Sequence, residues 1–135
     1  MSAADGPVTL TLPPAASMVR VGRLTASSIA SLSDMSIDDI DDIKIAVSEM
    51  ITLLIQSGNR TAITLRFETT DEVFSVEAST PSGATSLGRN DLALATAVLE
   101  AVADEHQIAS TDDRILLRIV KHLVQQTAPA GAATS

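Results

Sequence analysis

Cysteine, tryptophan and tyrosine are absent from this sequence, and Phe67 and Phe74 are its only aromatic residues. Without cysteine, the chain has no disulfide framework, no thiolate metal site and no cysteine nucleophile. Without tryptophan or tyrosine, stacking on bases or sugars is disfavoured as a mode of binding. The core must therefore be built from isoleucine, leucine, valine, methionine and alanine, in a chain that is 45% hydrophobic.

Positive charge is also scarce, since 9 lysines and arginines face 17 acidic residues and the formal net charge is -8 at pH 7. This balance opposes binding to nucleic acid or to anionic membranes and favours a protein partner with a basic or polar surface. No apolar run approaches the ~20 residues of a membrane span. No basic segment followed by an apolar stretch marks a signal peptide. We therefore expect a cytoplasmic protein with neither a nucleic-acid nor a membrane partner.

The 135 residues suffice for one domain that buries its own core. We expect a single domain over residues 7–126, with flexible tails at 1–6 and 127–135. The second tail consists mainly of alanine, proline, threonine and glycine, a composition that buries little apolar surface. No internal repeat divides the chain further.

One long amphipathic helix, predicted over residues 36–58, organises the rest of the chain. Ser36 is its expected N-cap, and Asp39 three residues later approaches a capping box. Its apolar stripe comprises Ile40, Ile43, Val47, Met50 and Leu54. Glu49 is the only carboxylate inside that apolar run. Its side chain either faces a cavity, where it can act as a general base, or is held against a backbone group, a cation or a protein partner.

Four aspartates crowd the first turns of this helix, namely Asp38, Asp39, Asp41 and Asp42. Carboxylates at the N-terminal end of a helix are favoured by the positive pole of the helix dipole. Stabilisation of a solvent-exposed helix N-terminus therefore accounts for them. A Mg²⁺ site or a contact with a basic partner is the alternative, because carboxylates are also the ligands that hard cations prefer.

The other patterns complete the order of elements. In chain order we predict a strand at 8–12, helices at 15–33 and 36–58, strands at 61–67 and 73–78, a helix at 91–105 and strands at 107–109 and 115–120. Residues 121–126 either extend the last strand or begin a short helix. This order predicts an α+β fold, a two-layer sandwich in which three helices cover one face of a mostly antiparallel mixed sheet of about five strands.

The helix at 15–33 is indicated by residues that recur at helical spacing. They are Met18, Val21, Leu24, Ser28 and Leu32, with arginines on the other faces. Serine and threonine are frequent in this segment, so we expect packing to supply most of its stability.

Three segments, in this order of elements, resemble the GHKL ATPase superfamily, and within it the branch of bacterial anti-sigma factors and switch-protein serine kinases. They are MVRVGRL at 18–24, DDIDDIKIAVSE at 38–49 and LEAVADE at 99–105, the last followed by a hairpin that ends in LRIVK at 117–121. The resemblance implies the histidine-kinase-like ATPase fold. For the family it also implies ATP and Mg²⁺ as cofactors, and a sigma factor or an anti-anti-sigma-type antagonist as partner.

The family's nucleotide motifs match this chain only in part. The family's N-box has a glutamate and, four residues on, an asparagine that holds Mg²⁺; here these positions are Glu49 and Leu53. Leucine offers no oxygen ligand. The acid with which the family reads the adenine amino group is replaced by Ala78. Of the family's two glycine motifs, the chain has Gly83 after that strand and Gly88 before the third helix.

The resemblance therefore implies an anti-sigma-factor-like regulator that binds proteins as a homodimer, with ATP binding, metal binding and kinase chemistry lost. Glu49 is then a vestigial general base. Two alternatives remain open: an active ATP-dependent serine protein kinase with divergent ligands, in which Glu49 is the base, and a non-catalytic scaffold in another signalling pathway. The two histidines, His106 and His122, lack a second ligand at metal-binding spacing.

Overall fold

The computed structural model describes residues 6–58, 61–81 and 87–123, in which five strands and three helices follow the predicted order. The elements are β1 (Val8–Leu12), α1 (Met18–Ala30), α2 (Ile37–Gln56), β2 (Ile63–Thr69), β3 (Val73–Thr80), α3 (Arg89–Val102), β4 (Glu105–Ser110) and β5 (Ile115–His122). Most of the two predicted tails lies outside the described residues. No helix within those three described ranges is long and apolar enough to cross a membrane.

The strands form one sheet in the order β1-β2-β3-β5-β4, and each of the four pairings is antiparallel. The predicted α+β sandwich is thereby confirmed. The central strand is β3; after it the chain leaves the sheet, forms α3, returns at the far edge as β4, and fills the position between β3 and β4 with β5. α2 packs against β3 and β5 and lies between α1 and α3.

The core is built by the period-two pattern of the strands meeting the apolar side of α2. Ile63, Leu65 and Phe67 of β2 are at most 1% exposed, and the register places Leu65 beside Ala78 and Phe67 beside Val76 on β3. The next strand, β5, continues these rows with Leu117 and Ile119. From α2, the buried residues are Ile43, Ala46, Val47, Met50, Ile51, Leu53 and Leu54.

The two ends of α2 are fixed as the sequence predicts. The Ser36 hydroxyl accepts a hydrogen bond of 3.0 Å from the Asp39 amide, which is the N-cap arrangement. At the other end Gly58 has a φ of 82°, a left-handed conformation that glycine adopts without steric cost, and its amide donates to the Ile55 carbonyl. Helix α2 therefore starts and stops on local signals rather than on tertiary contacts alone.

Helix α1 packs through a different face from the one that the sequence pattern marks. Val21, Leu24 and Leu32 are 38%, 50% and 61% exposed. The buried residues of α1 are small, namely Gly22, Ala26 and Ala30, together with Ile29. Small side chains let the helix approach the sheet and α2 closely. Of the predicted apolar stripe, Met18 packs against the core, whereas Val21, Leu24 and Leu32 face solvent. Periodicity predicted the helix but not which side of it is buried.

Replacing Gly22 with valine should lower the free energy of unfolding by about 2–3 kcal/mol, because a Cβ at this position would clash with Ile51 and lie 3.2 Å from Leu65. Urea denaturation with an unchanged m-value measures the loss. Arg20→Val, on the exposed side of the same helix, is the control and should change stability by less than about 0.5 kcal/mol. If the Gly22 variant matches the wild type, α1 does not pack as described.

Most element boundaries differ from the predictions by one to three residues; the first helix, for example, spans Met18–Ala30 rather than residues 15–33. The third helix ends at Val102 rather than near Glu105, because Glu105 already pairs with Val120 as the first residue of β4. The Asp104 amide donates to the Val120 carbonyl just ahead of that pairing. Residues 121–126 were expected either to extend the last strand or to begin a short helix. The structure shows that Lys121 and His122 extend β5.

Candidate functional site around the central helix

Glu49 lies on the side of α2 that turns away from the sheet. Its side chain is partly buried and lines a groove of about 560 Å³ between α1 and α2. Arg23 of α1 lines the opposite wall, and Lys44 and Ser48 of α2 lie on the same wall as Glu49. No described residue forms a hydrogen bond or an ion pair with Glu49. Glu49 is therefore neither in an enclosed cavity nor neutralised by a described cation.

Leu53 follows Glu49 by one helical turn but belongs to the hydrophobic core. Its side chain is fully buried, at 0% exposure, as is that of Ala78 on β3. Ala78 sits between Leu65 and Leu117 in the sheet. These are the positions at which the family resemblance places the metal ligand and the adenine-reading acid. Neither side chain has an oxygen or nitrogen atom, so neither can coordinate Mg²⁺ or accept a hydrogen bond from an adenine amino group.

Of the two glycines in the predicted nucleotide site, Gly83 and Gly88, the structure describes only Gly88. Gly83 lies outside the described residues. Gly88 is the N-cap of α3, with φ and ψ of -68° and 144°, and its carbonyl accepts from the Leu92 amide. This extended conformation is open to any residue, so Gly88 is not required by backbone geometry. Within the described segments, no group of three or more histidine, aspartate or glutamate side chains is arranged to hold a metal ion.

Two of the four aspartates at the start of α2, Asp39 and Asp42, interact with a lysine of the same chain. Lys121 of β5 donates a 2.9 Å hydrogen bond to Asp42 and lies 3.7 Å from Asp39, and it also donates 3.0 Å to the Val102 carbonyl. Its side chain is only 11% exposed. The first turns of α2, the C-terminal end of α3 and the end of β5 thus meet at one ammonium group. We name this cluster of Lys121, Asp39, Asp42 and the Val102 carbonyl the lysine clasp.

The electrostatics of the clasp favour the charged ammonium. Burial lowers the pKa of Lys121, but the hydrogen bond to Asp42 and the charges of Asp42, Asp104 and Asp39 outweigh that cost, so the pKa is raised. Sequence analysis missed this residue. The signal was available, because Lys121 follows Ile119 by two residues and therefore points to the same, helix-covered face of β5.

A second polar contact closes the same end of the sheet. The ring of His122 lies 2.9 Å from the Glu105 carboxylate, and the His122 amide donates to Asp104. The hydrogen bond to Glu105 raises the pKa of His122, and the nearby charge of Asp104 adds to it. Both side chains are more than half exposed, so this pair ties β4 to β5 at the surface and contributes little to stability.

Part of this chain is similar in sequence to one group of known proteins. It is 51% identical over 45 residues to the serine-protein kinases RsbW of Listeria monocytogenes and Listeria innocua. That match covers 33% of this chain and 29% of the relatives, so it spans less than a third of their length. No protein-family model matches the chain.

The fold is also shared with a solved structure. The chain superposes on the crystal structure of the RsbU and RsbW domains of Rv1364c from Mycobacterium tuberculosis with a TM-score of 0.68. The superposition covers 87% of this chain and 32% of that chain, at 20% sequence identity. The chain is thus a partial homologue of the RsbW kinases over 45 residues and shares the fold of the solved RsbU and RsbW domain structure, which supports the family branch that the sequence indicated.

Proposed function

We propose that this partial homologue of the RsbW serine-protein kinases is an anti-sigma-factor-like regulator that acts by binding another protein without nucleotide chemistry. The partner we propose is a sigma factor or a small antagonist of the anti-anti-sigma class. The identity to RsbW over 45 residues and the shared fold support the regulatory role. The proposal includes a homodimer, as the sequence resemblance implied.

The burial of Leu53 is the observation that carries the loss of nucleotide chemistry. Phosphoryl transfer depends on a bound metal that neutralises the phosphates and on their exact positioning. A leucine that is fully enclosed by the core supplies no ligand, and Ala78, equally buried, supplies no acceptor for adenine. Glu49 is then a vestigial general base, retained beside an open groove, and neither ATP nor Mg²⁺ is a cofactor.

An active serine kinase is the second candidate, and the name of the Listeria relatives favours it. In that case Glu49 is the base that takes the proton of a substrate hydroxyl, and ATP and Mg²⁺ are bound by divergent ligands. Arg23 and Lys44 are the cations that line the same groove. A scaffold in another signalling pathway is the third candidate. It predicts no affinity for sigma factors or their regulators.

Partner binding with and without nucleotide separates these candidates. The wild-type chain and its Glu49→Gln variant are titrated with sigma factors and anti-anti-sigma-type proteins of the native host, in the presence and absence of ATP and Mg²⁺. We expect one of these proteins to bind, with a Kd that neither nucleotide nor the substitution changes by more than about twofold. We also expect no transfer of labelled phosphate.

A matched control for Glu49 is Glu100→Gln, an exposed carboxylate on α3. Phosphate transfer that is lost in the Glu49 variant and kept in the Glu100 variant would establish the kinase instead. Absence of binding to every sigma factor and antagonist tested would favour the scaffold.

A further inference from the structure

Strand β4 lies at one edge of the sheet and presents backbone groups there that no described strand pairs with. Its only strand partner in the described chain is β5, and the Thr111 amide just beyond it donates to the Arg114 carbonyl. Hydrogen-bonded pairs in an antiparallel ladder recur at every second residue. Counting back from Thr111, the residues bonded to β5 are Ala109, Gln107 and Glu105. The N–H and C=O groups that point outward belong to the residues between and beside them, namely His106, Ile108 and Ser110.

The charges beside this edge are negative. Glu105, the first residue of β4, has a side chain that is 61% exposed. Asp104 just before the strand and Asp113 in the turn after it are exposed as well. By contrast, β1 at the other edge of the sheet has no charged residue. Attraction of a positively charged segment therefore distinguishes the β4 edge from the β1 edge.

Two arginines of the neighbouring β5 segment are engaged by β3. Arg118 lies 3.6 Å from Glu77, and Arg114 donates a 3.1 Å hydrogen bond to the Ser79 hydroxyl. The ring of His122 lies 2.9 Å from the Glu105 carboxylate, but a carboxylate has about four acceptor sites and accepts further donors. The carboxylate of Glu105 therefore retains the capacity to bind a cation from another chain.

A cavity of about 260 Å³ lies beside this edge. It is lined by Glu105, His106, Gln107, Arg118 and Val120. Val120 follows the core residue Ile119 and therefore points to the sheet face that the helices leave open. Glu105 pairs with Val120 across the two strands, so the cavity combines an aliphatic side chain with a carboxylate. The aliphatic stem of a lysine or arginine fits such a cavity while its charged head reaches the carboxylate.

The helix-covered side of β4 favours a different kind of side chain. Ile108 is partly buried there and packs against the hydrophobic core. A strand added beside β4 places successive side chains on opposite sides of the sheet, next to Ile108 on one side and next to Glu105 on the other. The segment that fits this edge therefore alternates apolar with basic residues.

We propose that β4 receives an extended basic segment of a partner protein as a sixth strand of the sheet. Backbone hydrogen bonds to the outward groups of β4 supply affinity, and the alternating side chains supply specificity. A second copy of this chain is disfavoured as the occupant, because two β4 strands would bring their carboxylates together in chains with a net charge of -8. Such an edge requires a protein partner, which is the part of the proposed function on which this proposal rests.

The test combines the full chain with a heptapeptide that alternates lysine with valine, acetylated at one end and amidated at the other. By calorimetry at low salt we expect a Kd of about 100 μM or tighter. Hydrogen exchange followed by NMR locates the peptide. Saturation should slow exchange of the His106, Ile108 and Ser110 amides about tenfold. The Gln107 amide already bonds to β5 and should be unchanged.

Two control peptides separate strand addition from attraction between charges. A heptapeptide that alternates glutamate with valine should not bind, because its carboxylates meet those of the β4 edge. Replacing the central valine of the lysine peptide with proline keeps the charge but removes a backbone donor from the strand, and should weaken binding about tenfold. Equal affinity of the proline peptide would mean that charge alone attracts the peptide, and the proposal would be wrong.

Glu105→Lys and Glu68→Lys form a matched pair of variants. Both glutamates lie in one row across the open face of the sheet, on β4 and β2, and each substitution changes the net charge by the same amount. Glu68 is three strand spacings away, roughly 14 Å, which exceeds the Debye length at physiological salt. At that salt concentration, Glu105→Lys should weaken the lysine peptide about fivefold or more, and Glu68→Lys less than about twofold.

Absence of saturable binding up to about 1 mM peptide overturns the proposal. Slowed exchange at β1 instead of β4 overturns it as well, as does equal weakening by the two glutamate variants. None of these measurements uses a sigma factor or its antagonists. A negative result here therefore leaves the regulatory role to the sigma-factor experiment, and failure of that experiment leaves the β4 edge to this one.

Discussion

A Leu53→Asn variant is expected to lose about 4 kcal/mol of the free energy of unfolding. The substitution removes a fully buried aliphatic side chain from the core of α2 and places an amide there. Within the described surroundings the amide meets apolar side chains, so its hydrogen-bonding groups lose water without gaining equivalent partners. The variant also introduces the asparagine that the family resemblance implies at this position as the Mg²⁺ ligand.

The adjacent Thr52→Asn variant is the control for this measurement. Thr52 lies on the same helix and is only partly buried, and asparagine and threonine have similar helix propensities. Its stability should stay within about 1 kcal/mol of the wild type. If Leu53→Asn proved as stable as this control and also bound ATP with Mg²⁺, position 53 would face a nucleotide pocket, and our account of the site would be wrong.

Removing the ammonium group of the lysine clasp should also lower the free energy of unfolding substantially. Lys121→Ala should cost about 2 kcal/mol, because it leaves the Val102 carbonyl and two aspartates without their cation. The cost is below that of a fully buried pair, since Asp39 and Asp42 are 24% and 36% exposed and regain water. Lys44→Ala removes a lysine that is 37% exposed, at 3.5 Å from Asp41, and should cost less than about 0.5 kcal/mol.

The pH dependence of the free energy of unfolding provides a second test of the lysine clasp. The pKa of Lys121 is raised above its ordinary value of 10.5, so its contribution to stability is complete below that pH. It is lost as the pH rises through the higher pKa of the folded state. The difference in stability between the wild type and Lys121→Ala should therefore be constant from neutral pH to about 10 and shrink above it. A difference that is already absent at neutral pH contradicts the clasp.

The elements with local signals were predictable from the sequence. Helix α2 begins at the N-cap Ser36, has aspartates in its first turn where the helix dipole favours them, and ends at Gly58. The structure shows all three features. Strand β2 follows from alternation, which the burial of Ile63, Leu65 and Phe67 confirms. In these segments local preference and tertiary packing agree, so that the pattern alone determines the element.

The features that sequence analysis missed depend on contacts between distant segments. The buried face of α1 is chosen by the close approach of Gly22 to Ile51 and Leu65, a constraint that a pattern of large apolar residues does not contain. Lys121 and Asp42 are 79 residues apart, and only the fold brings them together. The end of α3 is set by the pairing of Glu105 with β5, although the helical pattern continues to that residue.

For the candidate site, sequence reasoning supplied the positions and the structure supplied their surroundings. Glu49 and Leu53 were selected because they match the two positions of the family's N-box, and a four-residue step places both on one side of a helix. The structure places Glu49 beside an open groove and Leu53 inside the core. That difference in burial could not be predicted, because it depends on how α2 is rotated against the sheet and α3.

Calorimetric titration of the wild-type chain with ATP and Mg²⁺ tests the central claim most directly. Since Leu53 and Ala78 are buried and offer no polar atom to metal or adenine, we predict no binding tighter than about 1 mM. The same protein sample should bind its protein partner, which shows that it is folded and competent. Saturable heat with a Kd below the high micromolar range would contradict the claim that this chain has kept the fold and lost the nucleotide.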